Sequence, residues 1–334
     1  MRMFGAAVTA LLLVALLPAD ALAWTPGTHI LLGDAVLRMA PQLLPAAVAA
    51  LLRAHPADFL YGSIAADTSF AKRYARVGRH CHHWPVADDI MARAREAPLQ
   101  AFAWGYLAHL AADVVAHNHF VPLQLALTSA SGGAGHGYWE SRFELHTGDG
   151  WSRRARELIR LDHARADAHL DRILSPTIFT TSTNRRLFRG MVHASDTASW
   201  QRMMTAMATR SRWVLRDATV AAHLEVAFEY IVDLLRADGG AGATPAIARG
   251  FDPSGEAPLR EAVRFRRIAV GAGAGIVRRD ARLRYALPTI LPGWTASLPA
   301  PLHVVRPAPA PTAMRRKRTA SRSGASPLGS NPRA

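Results

Sequence analysis

A chain of 334 residues, half of them hydrophobic, can bury one core of roughly 200 residues and still carry attachments. Its single cysteine, Cys81, excludes an intrachain disulfide, and one thiol cannot hold a zinc ion unaided. The formal net charge is +15, but no acidic residue follows Asp280 and the run Arg315, Arg316, Lys317, Arg318 lies near the end, so much of the excess belongs to a tail.

Arg2, an apolar stretch from Ala6 to Leu17, Pro18 and the small-x-small site Ala21-Leu22-Ala23 read as a secretory signal over residues 1–23. The apolar stretch falls short of the about 20 residues a membrane span needs. Cleavage places Trp24 at the new amino terminus and sends the chain to the periplasm or outside the cell.

From Trp24 to Ala237 the pattern is helical almost throughout, which predicts an all-α domain over 24–237. Ile30, Leu31, Ala35, Val36 and Met39 recur at three-and-four spacing, with an end expected at Pro41. Ala101 to Phe120 reads as a strongly apolar helix stopping before Pro122, and Ser129 to Gly135 as a flexible loop. Helix resumes over Tyr138–Leu145 and Trp151–Leu174. Thr197–Leu235 holds one or two more helices, with Ala222, Val226, Tyr230 and Leu234 four apart. No window alternates as a strand does. The Gly/Ala/Pro stretch from Gly239 to Pro258 reads as a linker, and residues 259–292 as short basic helices, giving a segment 238–298 outside the domain. Residues 299–334, rich in Pro, Ala, Ser and Arg, read as a disordered basic tail.

Histidines carry the functional signal. Eight of the fifteen (His80, His82, His83, His109, His117, His119, His136, His146) fall within a fifth of the chain, which points to metal ligation. His109 and Asp113 stand four apart on a helix, so both side chains leave one face; His136 and Glu140 repeat the spacing. Each pair delivers two donors to a metal without distorting the backbone. His29 lies five residues after the new terminus, and His80, Cys81, His82, His83 and Trp84 form a dense imidazole cluster.

On these residues the chain resembles the superfamily of zinc-dependent phospholipases C and single-strand-specific nucleases, in its bacterial phospholipase C branch. The features are Trp24 after a cleavage site, His29, Gly62 to Asp67, His82 with Trp84, the series His109, Asp113, His119, and the pair His136, Glu140. The resemblance covers about residues 24–150 by motif. It implies an all-helical domain with a tri-zinc cleft. Trp24, through its free amine and carbonyl, His29 and Asp113 would hold one Zn2+. Asp67, His82, His109 and Asp113 would hold a second, and His119, His136 and Glu140 a third, with Asp113 bridging. Straight-helix geometry pairs Asp113 with His117 instead, because His119 is turned by about 120° from it; both histidines stay open. Spacing from Asp67 favours His82 over His83.

The implied reaction is hydrolysis of a phosphate ester by zinc-activated water, with Asp67 as base. The implied substrate is a phospholipid or related phosphodiester, the basic tail adding contact with an anionic membrane surface. Nucleic acid is the alternative substrate, with Phe70, Trp84 and Trp139 as stacking surfaces, and a non-catalytic zinc protein of the envelope a third reading. Thr25-Pro26-Gly27-Thr28 lacks the carboxylate of a choline cage, and Thr68 follows Asp67 where an aromatic would be expected. Cys81 reads as packing, His80 and His83 as supporting or surface residues, and Glu144 and His146 as helix surface.

Overall fold

The computed structural model describes residues 24–69, 81–128, 132–148, 150–237, 245–268 and 274–288. The signal segment, the basic tail, Phe70, His80 and residues 129–131 of the Gly-rich loop lie outside them. The described residues are helical, without a strand among them. No helix among them is long and apolar enough to cross a membrane.

The central element is α5, Ala97–Val115, buried continuously from Ala101 to Val115. A helix apolar on every side must be enclosed on every side. α3 (Pro56–Ala65), α4 (Trp84–Arg93) and α12 (Asp217–Arg236) enclose it, and α1 (Pro26–Leu43) and α2 (Ala46–Ala54) pack outside α3. α1 runs two residues past Pro41, because a proline in the last turn forfeits little of the hydrogen-bond ladder.

The expected stop before Pro122 is replaced by one wide π-turn, Ala116–Phe120, which leads straight into α6, Val121–Thr128. In an α-helix residue 122 would donate to the carbonyl of Asn118; proline has no N–H to give, and the wider turn absorbs that loss. α7, Gly132–Glu144, begins inside the Gly-rich stretch. The stretch expected as one helix after Trp151 is two, α8 (Gly150–Leu158) and α9 (Ala164–Asp171). α10, Thr181–Ser195, lies where the pattern marks no element; Thr180 caps it by accepting from the Thr183 amide at 3.2 Å. Thr197–Leu235 resolves into α11 (Ala198–Arg210) and α12.

Beyond 237, residues 245–258 lie inside the span expected to be a linker. They form a 3-10 turn at Ile247–Gly250 that packs on α12 and a strap that leads into α13, Glu256–Ile268. α13 and α14 (Ala274–Arg284) pack back on α6.

α3 and α5 cross with their backbones in close contact. A Cβ on Gly62 would lie 2.0 Å from the Phe102 carbonyl oxygen, and one on Gly105 would lie 2.0 Å from that of Phe59. Two facing glycines let the backbones touch and place the end of α3 beside the middle of α5. Trp24, just before α1, packs at the same place. It is fully buried, donates its indole N–H to the Ala112 carbonyl at 3.0 Å, and packs its ring on Phe120 and Phe143.

Gly62→Ala and Gly105→Ala should each destabilise the protein by about 1–3 kcal/mol or more, the cost of overpacking a core. Gly190→Ala, on α10 with open space around it, should stabilise by about 0.5–1 kcal/mol. Denaturant midpoints of the three variants check this; equal shifts at all three positions would contradict the crossing.

Candidate metal centre

Five separate pieces of chain meet over α5. His29 comes from α1, Asp67 from the 3-10 turn Ala66–Thr68 that ends α3, and His82 from the residues just before α4. His109 and Asp113 come from α5, His117 from the π-turn, and His136 and Glu140 from α7. All eight side chains are buried.

The i,i+4 pairs are formed: His109 Nε2 lies 3.0 Å from Asp113 Oδ2, and His136 Nε2 lies 2.6 Å from Glu140 Oε1. Asp113 divides its oxygens. Oδ1 faces His29 Nε2 at 3.3 Å, while Oδ2 faces His82 Nε2 at 2.9 Å as well as His109. Asp67 Oδ1 stands 3.4 Å from His82 Nε2 and 3.9 Å from His109 Nε2. The imidazoles form a continuous chain, with centroids 4.0 Å apart for His29 and His109, 5.1 Å for His82 and His109, 6.1 Å for His82 and His117, and 5.2 Å for His117 and His136.

Three groups among these residues have ligand atoms within 4.8 Å of one another: His29, Asp67 and His109; His82, His109 and Asp113; His117, His136 and Glu140. Backbone carbonyls select the tautomers. His109 donates its Nδ1–H to Ser63 at 2.9 Å, and His117 donates its own to Pro253 at 2.7 Å. Both Nε2 atoms therefore carry a lone pair turned to the cluster, the state a metal needs. His29 Nε2 and both Asp113 oxygens are buried without a well-formed hydrogen bond among the described residues, although their neighbours are close. Imidazole nitrogens and carboxylate oxygens converging on common points are the geometry of ligands around cations. The residues fit zinc.

The electrostatics agree. Burial, reinforced by the His109 charge, lowers His29 from 6.5 to about 4, so its imidazole is neutral at pH 7. Burial alone would raise Asp113, but the imidazoles of His109, His29 and His82 close around its oxygens outweigh burial and hold the carboxyl well below its usual range. A carboxylate beside the neutral His29 imidazole suits a divalent cation.

The structure brings together seven of the nine expected ligand side chains: His29, Asp67, His82, His109, Asp113, His136 and Glu140. His82 sits in the cluster, while His83 caps α4 and is half-buried. Trp24 stands beside it through Ala112. His119 is the exception. The third group contains His117, the residue straight-helix geometry favours, because the π-turn aims His117 at α7 and turns His119 outward. His119 donates its Nδ1–H to the Ala286 carbonyl at 2.9 Å and packs on Phe251.

Three supporting contacts were not legible as functional. The strap 251–255 closes on the π-turn: besides Pro253 on His117, Asn118 donates to the Asp252 carbonyl at 2.9 Å, and Trp84 donates to that of Phe251 at 2.9 Å. Gly255, at φ +58°, lets the strap approach; a Cβ there would lie 2.4 Å from His117 Cβ. Asp252-Pro253-Ser254-Gly255 is a turn signal in the sequence, but it does not say what the turn touches. Glu144, expected on the helix surface, is buried and accepts from Ser152 at 2.9 Å and from Thr25 and the Gly27 amide, holding the start of α1. His146 is buried too, its Nδ1 2.6 Å from Asp217 Oδ1. Tyr106 donates to the Cys81 carbonyl at 2.6 Å and fixes the backbone next to His82.

Residues 28–180 match the model of a protein family described as zinc dependent phospholipase C. This span, a little under half of the chain, is a zinc-dependent phospholipase C family region. No curated protein and no solved structure matches it. The matched span contains all eight clustered side chains and leaves Trp24 and the strap outside.

Metal-free protein should lose stability in acid. His29 and, on α12, His223 are both held at about 4, chiefly by burial, against 6.5 when exposed. With the folded values depressed, the two contributions are complete above pH 6.5 and are lost as pH falls toward 4, on the order of 3 kcal/mol each. Denaturant unfolding of chelated protein at pH 7 and pH 4.5 should show the drop; equal free energies would contradict the buried neutral imidazoles.

Proposed function

We propose that this protein is an exported, three-zinc phosphodiesterase that hydrolyses a phospholipid at a phosphate ester in the manner of a phospholipase C. The observation that carries the reading is the Asp113 carboxylate, whose two oxygens face different imidazoles, Oδ1 towards His29 and Oδ2 towards His82 and His109. That is the arrangement of a carboxylate bridging two cations. One zinc would be held by His29 and Asp113 with the amine and carbonyl of Trp24, freed by cleavage after Ala23. A second would take Asp67, His82, His109 and Asp113, and the third His117, His136 and Glu140. When bound, zinc supplies a water of lowered pKa and a Lewis acid for a phosphoryl oxygen.

The chain's own residues do the rest. Asp67 presents Oδ1 to His82 and His109, and as a carboxylate has a second oxygen to orient the attacking water and accept its proton. The Ser63 and Pro253 carbonyls keep His109 and His117 in the required tautomer. Attack on phosphorus expels the alcohol without a side-chain nucleophile.

Two observations favour lipid over nucleic acid. Trp139 is buried, and Trp84 has its indole N–H bound by Phe251 and the Arg249 guanidinium 4.8 Å from its ring centroid, so neither offers a free stacking face. Thr25 and Thr28 are buried with their hydroxyls 3.3 Å apart, which supports a headgroup site unlike a choline cage.

Purified protein beginning at Trp24 should hydrolyse phospholipid in mixed micelles, lose that activity to a chelator and regain it with zinc. Asp67→Asn should lower kcat by about 10²–10⁴-fold. Cleavage of single-stranded DNA with no action on any phospholipid would overturn the lipid reading.

A further inference from the structure

We propose that the cleft between α13, α14 and the π-turn is an anion-binding subsite, which takes a phosphate carried by the substrate's headgroup in addition to the ester that is cleaved. The inference rests on the phosphodiesterase reading for its substrate, and on the following geometry for the subsite. The cleft has a volume of about 590 Å³, within the range of small-molecule sites. Arg260 and Arg264 line it from α13, four residues apart and so on one face, and Arg284 lines it from α14. Glu261 is the one carboxylate among the lining residues, and Arg284 Nε already binds it at 2.9 Å. Arg260 reaches Glu256 only at 3.6 Å, and Arg264 has no ion pair among the described residues. The lining therefore carries an excess of positive charge with guanidinium forks suited to phosphate oxygens.

A second, independent observation sits in the cleft wall. His119 is 8% exposed, and its Nε2 has no hydrogen-bond partner among the described residues. Because Nδ1 donates to the Ala286 carbonyl, Nε2 is an acceptor. The guanidinium donors, with the His119 ring in the same lining, match an oxyanion such as a phosphate monoester or a phosphorylated headgroup.

The subsite adjoins the metal centre through the backbone. Asn118 and His119 of the wall directly follow His117, and Phe251 of the wall begins the strap whose Pro253 holds His117. The cleft and the third metal group thus share the π-turn and the strap as a common wall. The same arginines on a merely solvated face would give weak attraction to any anion, with no preference among substrates of equal charge density at the interface.

The test compares zinc-loaded wild type with the double variant Arg260→Gln/Arg264→Gln, which leaves the Arg284–Glu261 pair and every metal-facing residue in place. Substrates are phosphatidylcholine and phosphatidylinositol 4-phosphate, each dilute in neutral mixed micelles, with inorganic phosphate as competitor; zinc content and circular dichroism confirm an intact fold. The expected result is a KM for the phosphorylated headgroup raised about tenfold, with phosphatidylcholine changed less than about twofold. Equal effects on both lipids, or none, would overturn the headgroup assignment. If inhibition by phosphate weakens in the variant while the lipid preference is unmoved, the cleft binds free phosphate and the substrate role is overturned. If neither form hydrolyses a lipid, the phosphodiesterase reading has failed, and phosphate affinity measured by calorimetry on the two zinc-loaded proteins still decides the cleft: a loss of about tenfold supports it and equal affinities overturn it.

Discussion

A carboxylate sealed from water is among the most expensive groups a fold can hold, unless something positive or a dense set of donors meets it. Asp113 is fully buried in the last turn of α5, and its surroundings are the constraint from which the rest of the site follows. Three imidazole Nε2 atoms approach its two oxygens, two from other parts of the chain and one from a turn earlier on α5. Neutral histidines cannot balance that charge by themselves, and a divalent cation held between them can.

Making such a point of convergence requires the backbones to come unusually close. The facing glycines of α3 and α5 supply this, since they bring Ser63 within reach of His109 and end α3 with Asp67 over the same turn. The apolar character of α5 on all its faces then forces other helices around it, so His29 and His82 arrive as by-products of enclosing the core. The widened turn at Pro122 swings His117 toward His136 and Glu140. Packing, tautomer selection and metal geometry are one problem here, solved by the same contacts.

Much of this is readable from spacing. His109 with Asp113 and His136 with Glu140 are visible as i,i+4 pairs because helical geometry alone dictates that they meet, and the all-helical pattern is equally direct. His117 against His119 is different: the choice depends on a local change of helical pitch, so a motif transferred by spacing points to the wrong histidine. The strap at 251–255 is invisible for another reason. Its contribution comes from main-chain carbonyls of Phe251, Asp252 and Pro253, and no side-chain pattern records where a carbonyl points. Glu144 shares its helix face with Glu140, but its burial depends on the start of α1, more than a hundred residues earlier.

The central claim, that Asp113 bridges two cations while the His117 group stands apart, is tested most directly by metal analysis of Asp113→Asn. An amide has one acceptor oxygen and no charge, so it cannot serve two cations. The account predicts that wild-type protein starting at Trp24 binds three zincs per chain and that the variant keeps about one, with its helical circular dichroism largely intact. Three zincs retained in the variant would contradict it.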